Sequence, residues 1–551
     1  MVRGGALAAV LAASVQCVPR GTPERPQPGE PAEAAPQAVR PRLVVLLVVD
    51  QLPSWSFDPQ RSALDGGIAR LLERGVYWPH ARYPYAATHT APGHATIGTG
   101  APPSVHGIVS NRWIDVKSGE LREVGEDASS LLLDPLGGAP HAPGVSSARL
   151  EVDGLAEALH AGHGAGAKAI SIGLKGRAAA HVIGRHPDLA LWFDTGSGAL
   201  TSSTAFVEAL PPWVIAFDQA HPREAVLAQP WPAEDPERLA ALAGGPDARP
   251  GEGDPYGLGA TYPHDLASAT NPAKAFAFTP MASTLLVDAA IAALGGARLG
   301  GDDVPDLLAV AFSAHDYAGH AWCQESWERV DHLLRLDRDV GRLLDALDRS
   351  VGRERYAVVL TSDHGSTPSL ALAGPGAKLV LADDVGEAAA AAAERVLGPG
   401  HWVAGTTVLG VTASPELDAL GVEPRDRALA AMIDAIAALP GIGFVARTDR
   451  LEGRCDERSG VEALACRSVF AGRSGTLFTT AAPGALLNDD ASDCTAHGSP
   501  NPHDREVPLV IVAPGTTAGA RSEEVSMLRV APTIAALLGV PPPAAATEPP
   551  L

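Results

Sequence analysis

Three aspartates and three histidines in this chain stand where carboxylate oxygen and imidazole nitrogen could share metal ions: Asp50, Asp316, His320, Asp363, His364 and His497. Zn²⁺ accepts both donor types in a tetrahedral shell. Asp316 and His320 are four residues apart, so on a helical turn they project from one face. Asp363 and His364 are adjacent, and a chain leaving a strand can turn both into one crevice. His497 lies in the polar loop Thr495-Ala496-His497-Gly498-Ser499-Pro500. Taken singly, an Asp after a strand is usually a helix cap and a loop His a solvated residue. All six together outweigh that reading.

A candidate nucleophile lies in Tyr83-Pro84-Tyr85-Ala86-Ala87-Thr88-His89-Thr90-Ala91-Pro92-Gly93-His94-Ala95. This segment reads as a loop running into a helix, with Thr90 as N-cap and Pro92 in the first turn. A helix N-terminus offers free backbone N–H groups and a positive dipole end to an anion. A hydroxyl there, beside a metal, meets the conditions for an activated nucleophile. Thr88 and His89 are alternatives for a polar role, and a plain helix cap is the other reading of Thr90.

Buried strands must deliver these residues to one place. Leu43 to Val49 is a continuous β-branched and aliphatic run, as expected of a strand covered on both faces. Similar runs are Leu307 to Phe312, Tyr356 to Leu360 and Val507 to Val512. Between them, Trp327 to Arg349 repeats apolar residues at helical spacing. The alternation predicts an α/β fold with a mostly parallel central sheet and helices on both faces. Asp50, Ser313 to Asp316 and Thr361 to His364 follow the first three runs, at the strand ends where such sheets bind ligands. Residues 180–280 and 366–490 are less regular and read as insertions capping the site.

Lys+Arg 42 against Asp+Glu 64 gives a net charge of −22. Such a surface repels nucleic acid and anionic membranes, so a phosphate-handling site must build its own positive field. Met1-Val2-Arg3 and the apolar run Ala6 to Val15 predict an export signal within 1–17, too short to span a bilayer. Cys17 could be a lipidated cysteine; the alternative is an unanchored signal cleaved nearby. Residues 18–41 have the Pro/Ala-rich composition of a linker, and 541–551 that of a flexible tail. The protein is thus expected in the periplasm or at the cell surface, meeting a membrane only through an N-terminal lipid. Cys323, Cys455, Cys466 and Cys494 form no CxxC pair, and Cys455–Cys466 is the favoured local disulfide.

The run Thr88-His89-Thr90-Ala91-Pro92-Gly93-His94-Ala95-Thr96-Ile97-Gly98-Thr99-Gly100, followed by Pro103 to Asn111, resembles the nucleophile region of the alkaline phosphatase superfamily. His315-Asp316-Tyr317-Ala318-Gly319-His320, Ser362-Asp363-His364-Gly365, His497-Gly498 and the closing segment Arg529 to Gly539 resemble its other motifs, in the family's order. The nearer likeness is to PafA-type alkaline phosphatases and their phosphodiesterase/nucleotide pyrophosphatase relatives, and it spans most of 43–540. The resemblance implies an alkaline phosphatase-like catalytic domain over 42–540 holding two Zn²⁺ ions. One would be held by Asp316, His320 and His497, the other by Asp50, Asp363, His364 and the Thr90 oxygen. It also implies Thr90 as nucleophile and Asn111 as a hydrogen-bond donor to phosphate.

Leu174-Lys175-Gly176-Arg177 resembles a segment of the PafA-type monoesterases in which Lys and Arg contact phosphate oxygens. An Arg fork and a Lys point charge favour a monoester dianion over a diester. The expected activity is therefore metal-dependent hydrolysis of small phosphate monoesters through a phosphothreonine intermediate. The same scaffold could serve a phosphodiesterase or nucleotide pyrophosphatase. A reading of another class is a non-catalytic, metal-stabilised surface protein that binds anions. A sulfatase would need a Cys/Ser-x-Pro-x-Arg site, and the chain has Thr90-Ala91-Pro92-Gly93-His94.

Overall fold

Every side chain from Leu43 to Val49 is fully buried in the computed structural model, which describes residues 1, 40–116, 118–374 and 377–551. The apolar run Ala6–Val15, Cys17 and the linker as far as residue 39 lie outside the described residues. In chain order the strands of the central sheet are β1 (Leu43–Val49), β2 (Val76–Arg82), β3 (Ala169–Gly173), β4 (Leu189–Asp194) and β5 (Ala199–Thr201). They are followed by β6 (Asp306–Phe312), β7 (Tyr356–Thr361), β8 (Glu506–Val512) and β9 (Gly519–Ala520). Their order in space is β9-β2-β8-β7-β1-β6-β3-β4-β5, and Val525–Ser526 pairs with β2 off this path. β7, β1, β6, β3 and β4 are parallel; β8 runs antiparallel to both β7 and β2.

Successive side chains of β1 serve opposite faces, which is why the run is apolar throughout. Leu43, Val45, Leu47 and Val49 enter a core with helices Pro280–Gly296 and Trp327–Ser350. Val44, Leu46 and Val48 enter a second core with Ile97, Leu155, Ile534 and Leu538. Each such side chain contributes about 1.5–3 kcal/mol of burial. The parallel register pairs Val49 with Phe312 and Val48 with Thr361, and Ala311 with Gly173. Asp50, Ser313, Ser362 and Leu174 therefore emerge at one level of the sheet.

Residues 378–488 include a small sheet of Val403–Thr407, Gly410–Ala413, Leu477–Ala481 and Ile442–Arg447, packed with helices Ala382–Leu397 and Val422–Ala437 around their own core. The expected insertion at 180–280 needs correction. Its residues 189–201 form two strands of the central sheet, because Leu189–Asp194 is apolar enough to extend the parallel block. Residues 541–551 also differ from the expected tail. Leu551 N donates to Thr533 at 2.9 Å and Arg529 Nε to Pro549 O at 2.9 Å, so these residues lie along helix Val530–Leu538.

Cys455–Cys466 forms the expected disulfide, and Cys323–Cys494 a second. Two disulfides fit an oxidising, exported environment. Among the described residues no helix is long and apolar enough to cross a membrane.

Candidate active site

Carboxylates and imidazoles from four distant stretches of chain meet above the ends of β1, β6 and β7. Asp316 and His320 share one face of helix Ala314–Trp322, as their spacing requires. Asp316 Oδ1 lies 3.4 Å from His320 Nε2 and 3.9 Å from His497 Nε2, and the two ring nitrogens are 3.3 Å apart. A second group joins Asp50, Asp316 and His364, with His364 Nε2 3.3 Å from Asp50 Oδ1. Asp363 Oδ2 lies 3.6 Å from the same His364 nitrogen. The His364 and His497 rings stack with centroids 3.9 Å apart, so the groups share a wall.

Asp50, Asp363 and His364 are fully buried, and Asp316 nearly so. Asp50 Oδ1, Asp316 Oδ1, Asp363 Oδ2 and His364 Nε2 have no hydrogen-bond partner. Leaving such acceptors unpaired away from water is costly. Converging oxygen and nitrogen donors of this kind fit divalent cations.

Lys175 reaches the same place from the end of β3. Its buried ammonium lies 2.8 Å from Asp50 Oδ2 and 2.5 Å from Asp316 Oδ2, and 4.6 Å from the centre of the Tyr317 ring. Burial opposes charge on Lys175, but Asp316 and Asp50 outweigh it and raise its pKa. Burial and Asp316 likewise push Asp50 up, yet Lys175 and His364 together hold it well below the usual carboxylate range. His364 is pushed up to about 9 by Asp363 and Asp50 against its burial. His89 goes the other way, to about 3, through burial and the charges of His364 and Arg177.

Thr90 opens helix Thr90–Thr99 and is buried; the N-cap is His89, one residue earlier than expected. The shift follows from the chain direction. His89 is extended at φ −119° while its carbonyl already accepts from Gly93 N at 2.9 Å. Gly93 is needed where it stands, since a Cβ there would collide with the Asp363 carbonyl. Ala91 N donates to Asn111 Oδ1 at 2.9 Å, which ties Asn111 to the start of the helix. Asn111 and Arg177 line a cleft of about 250 Å³ together with His89, His320 and His497. Arg177 makes no ion pair among the described residues, and its buried Nε has no partner. The rim is made by Arg112, Glu123, Thr407, Val408, Leu487, Asn488 and Asp489. Among the described residues none of 180–280 lines this cleft.

Sequence reasoning missed three residues here. Gln51 is fully buried at φ +60°, donates its N–H to Asp363 Oδ1 at 3.1 Å, and sets Nε2 3.2 Å from His320 Nε2. A non-glycine residue in that conformation costs of order 1–3 kcal/mol. His94, four residues beyond Thr90, places Nδ1 3.2 Å from Asp363 Oδ2. Asp493 Oδ2 faces His320 Nδ1 at 3.2 Å. Only the His94 spacing left a sequence signal.

A family model described as type I phosphodiesterase / nucleotide pyrophosphatase matches residues 44–372. The chain belongs to that family. Within the alkaline phosphatase superfamily it is PafA-like. It is 28% identical over 533 residues to alkaline phosphatase PafA of Elizabethkingia meningoseptica, covering 93% of this chain and 94% of that one. It is also 28% identical over 531 residues to alkaline phosphatase PhoV of Synechococcus elongatus, covering 92% of each. The crystal structure of wild-type alkaline phosphatase PafA superposes with a TM-score of 0.84 at 27% identity, covering 94% of this chain and 99% of that chain.

Proposed function

We propose that this protein is an exported phosphatase that hydrolyses small phosphate monoesters through a phosphothreonine at Thr90. Asp316, His320 and His497 would hold one zinc ion, and Asp50, Asp363, His364 and the Thr90 oxygen a second. The pair would supply Lewis acidity, lowering the pKa of a coordinated hydroxyl and offsetting phosphate charge. Thr90 Oγ1 forms a bond to phosphorus as the bond to the leaving oxygen breaks, and the dipole at the helix start favours the charge that develops. Water then releases inorganic phosphate and restores the threonine. Asn111 donates to one phosphate oxygen, Arg177 bidentately to others, and Lys175 adds a point charge.

The observation that carries the monoester reading is the position of Lys175 and Arg177 on one turn beside the carboxylate–histidine groups, with Arg177 lining the cleft and its buried Nε unpaired among the described residues. Two positive side chains suit a dianion better than a diester monoanion. The relatives named alkaline phosphatases support the same choice. Phosphodiester hydrolysis is the second reading, favoured by the matching family's description.

Side-by-side assays of an aryl phosphate and a bis-aryl phosphate on one preparation, with metal content measured, test the proposal. Faster turnover of the monoester, abolished by chelator and in Thr90→Ala, is expected. Preferential diester cleavage would favour the second reading. No turnover by zinc-replete protein would leave an anion-binding protein.

A further inference from the structure

Each of the three histidines of the two groups has an oxygen close to its second ring nitrogen, but the oxygens differ in kind. His364 Nδ1 lies 2.8 Å from Gly365 O, and His497 Nδ1 lies 2.8 Å from Thr88 O. Both are backbone carbonyls. His320 Nδ1 instead faces the Asp493 carboxylate at 3.2 Å, an ion-pair contact without the alignment of a hydrogen bond. Asp493 precedes Cys494, whose disulfide with Cys323 bridges 171 residues. Cys323 is the C-cap of the helix that carries Asp316 and His320. The same attachment is repeated by the backbone, since Cys494 N donates to His320 O at 2.8 Å. Asn488 Nδ2 donates to the same oxygen, Asp493 Oδ2, at 3.1 Å. Three residues beyond Cys494 comes His497, so one cross-linked loop delivers both a ring of the group and the carboxylate behind another ring.

We infer that Asp493 is a positioning residue for His320, and that the Cys323–Cys494 bridge keeps it there, so that together they set the cation affinity of the Asp316–His320–His497 group. The inference rests on the proposed function in one respect, that this group holds metal. A carboxylate this close to an imidazole nitrogen favours the proton on Nδ1 through its charge, leaves Nε2 free to ligate, and strengthens the ring as a donor once the cation draws the pair into line. A loop already bridged to the helix has less freedom to lose when the cation binds. The other histidines, anchored by neutral carbonyls, lack this reinforcement, so the effect belongs to one group.

Competition of the full-length protein with a chromophoric chelator for zinc, resolved into two equivalents, tests this. Asp493→Ala is expected to weaken one equivalent by about 10–100-fold and leave the other unchanged. Asp493→Asn, which keeps an acceptor without charge, should fall between, and Cys323→Ser with Cys494→Ser should weaken the same equivalent. Circular dichroism at saturating zinc checks folding; if the serine pair fails to fold, the near-isosteric Asp493→Asn still decides. Both equivalents bound as in wild type, or both weakened in parallel, would overturn the inference alone. Wild-type protein taking up no zinc would overturn it together with the proposed function.

Discussion

Lys175 Nζ lies 2.8 Å from Asp50 Oδ2, although 125 positions separate the two residues in the chain. The parallel sheet makes the contact, because the ends of β1 and β3 flank the end of β6. The ammonium is held among carboxylates, two positions before Arg177, whose buried Nε has no partner among the described residues.

Replacing that charge should therefore fall hardest on the more anionic substrate. Lys175→Met is expected to lower monoester kcat/KM by about 10²–10³-fold, the usual cost of one lost anion-stabilising donor. Diester hydrolysis should change much less. Equal losses on both substrates, measured in parallel, would contradict the assigned role.

Thr90→Ala should remove at least about 10³-fold of kcat, as loss of a nucleophile does elsewhere. Thr90→Ser should retain a measurable rate, since the hydroxyl survives. Acid-quenched protein incubated with substrate should show a phosphate adduct on the peptide containing residue 90, by mass spectrometry, in wild type and not in Thr90→Ala.

Gly93→Ala probes how closely helix Thr90–Thr99 must approach β7. The added Cβ would sit 2.7 Å from the Asp363 carbonyl carbon. Forcing the backbone apart typically costs about 1–3 kcal/mol. A lower urea midpoint together with reduced kcat is expected. A variant of unchanged stability and rate would show that the helix can be repositioned freely.

Glu252 gives a pH signature away from the carboxylate–histidine groups. Burial, with Glu328 and Asp247 nearby, pushes its carboxyl up to about 8 against the Arg249 backbone N–H. A carboxyl raised in the folded state is protonated there while the unfolded chain has already ionised. Its stability contribution is thus complete below the ordinary value of 4.5 and is lost as pH rises through about 8. Glu252→Gln should match wild type in Tm near pH 4.5 and exceed it increasingly towards about pH 9. A Tm difference independent of pH would refute this.

What could be read from sequence followed locality. β1, β6, β7 and β8 announce themselves because they are buried and continuously apolar, and the helix from Trp327 because its period is regular. β2 escapes notice because Pro79 and His80 interrupt its pattern, and Ala169–Gly173 because Ala, Ser and Gly carry little hydrophobic signal. Asp316 and His320 share a face by spacing alone. Gln51 could not be found that way, since its left-handed backbone and its contact with Asp363 depend on packing across 312 residues. Asp493 is hidden for a similar reason, as its place beside His320 is set by a disulfide partner far back in the chain.

Anomalous diffraction at the zinc edge, on crystals of catalytically active protein prepared without chelator, tests the central claim most directly. Two peaks are predicted, one among Asp316, His320 and His497, the other among Asp50, Asp363 and His364 beside Thr90. Active crystals without anomalous density at either place would contradict it.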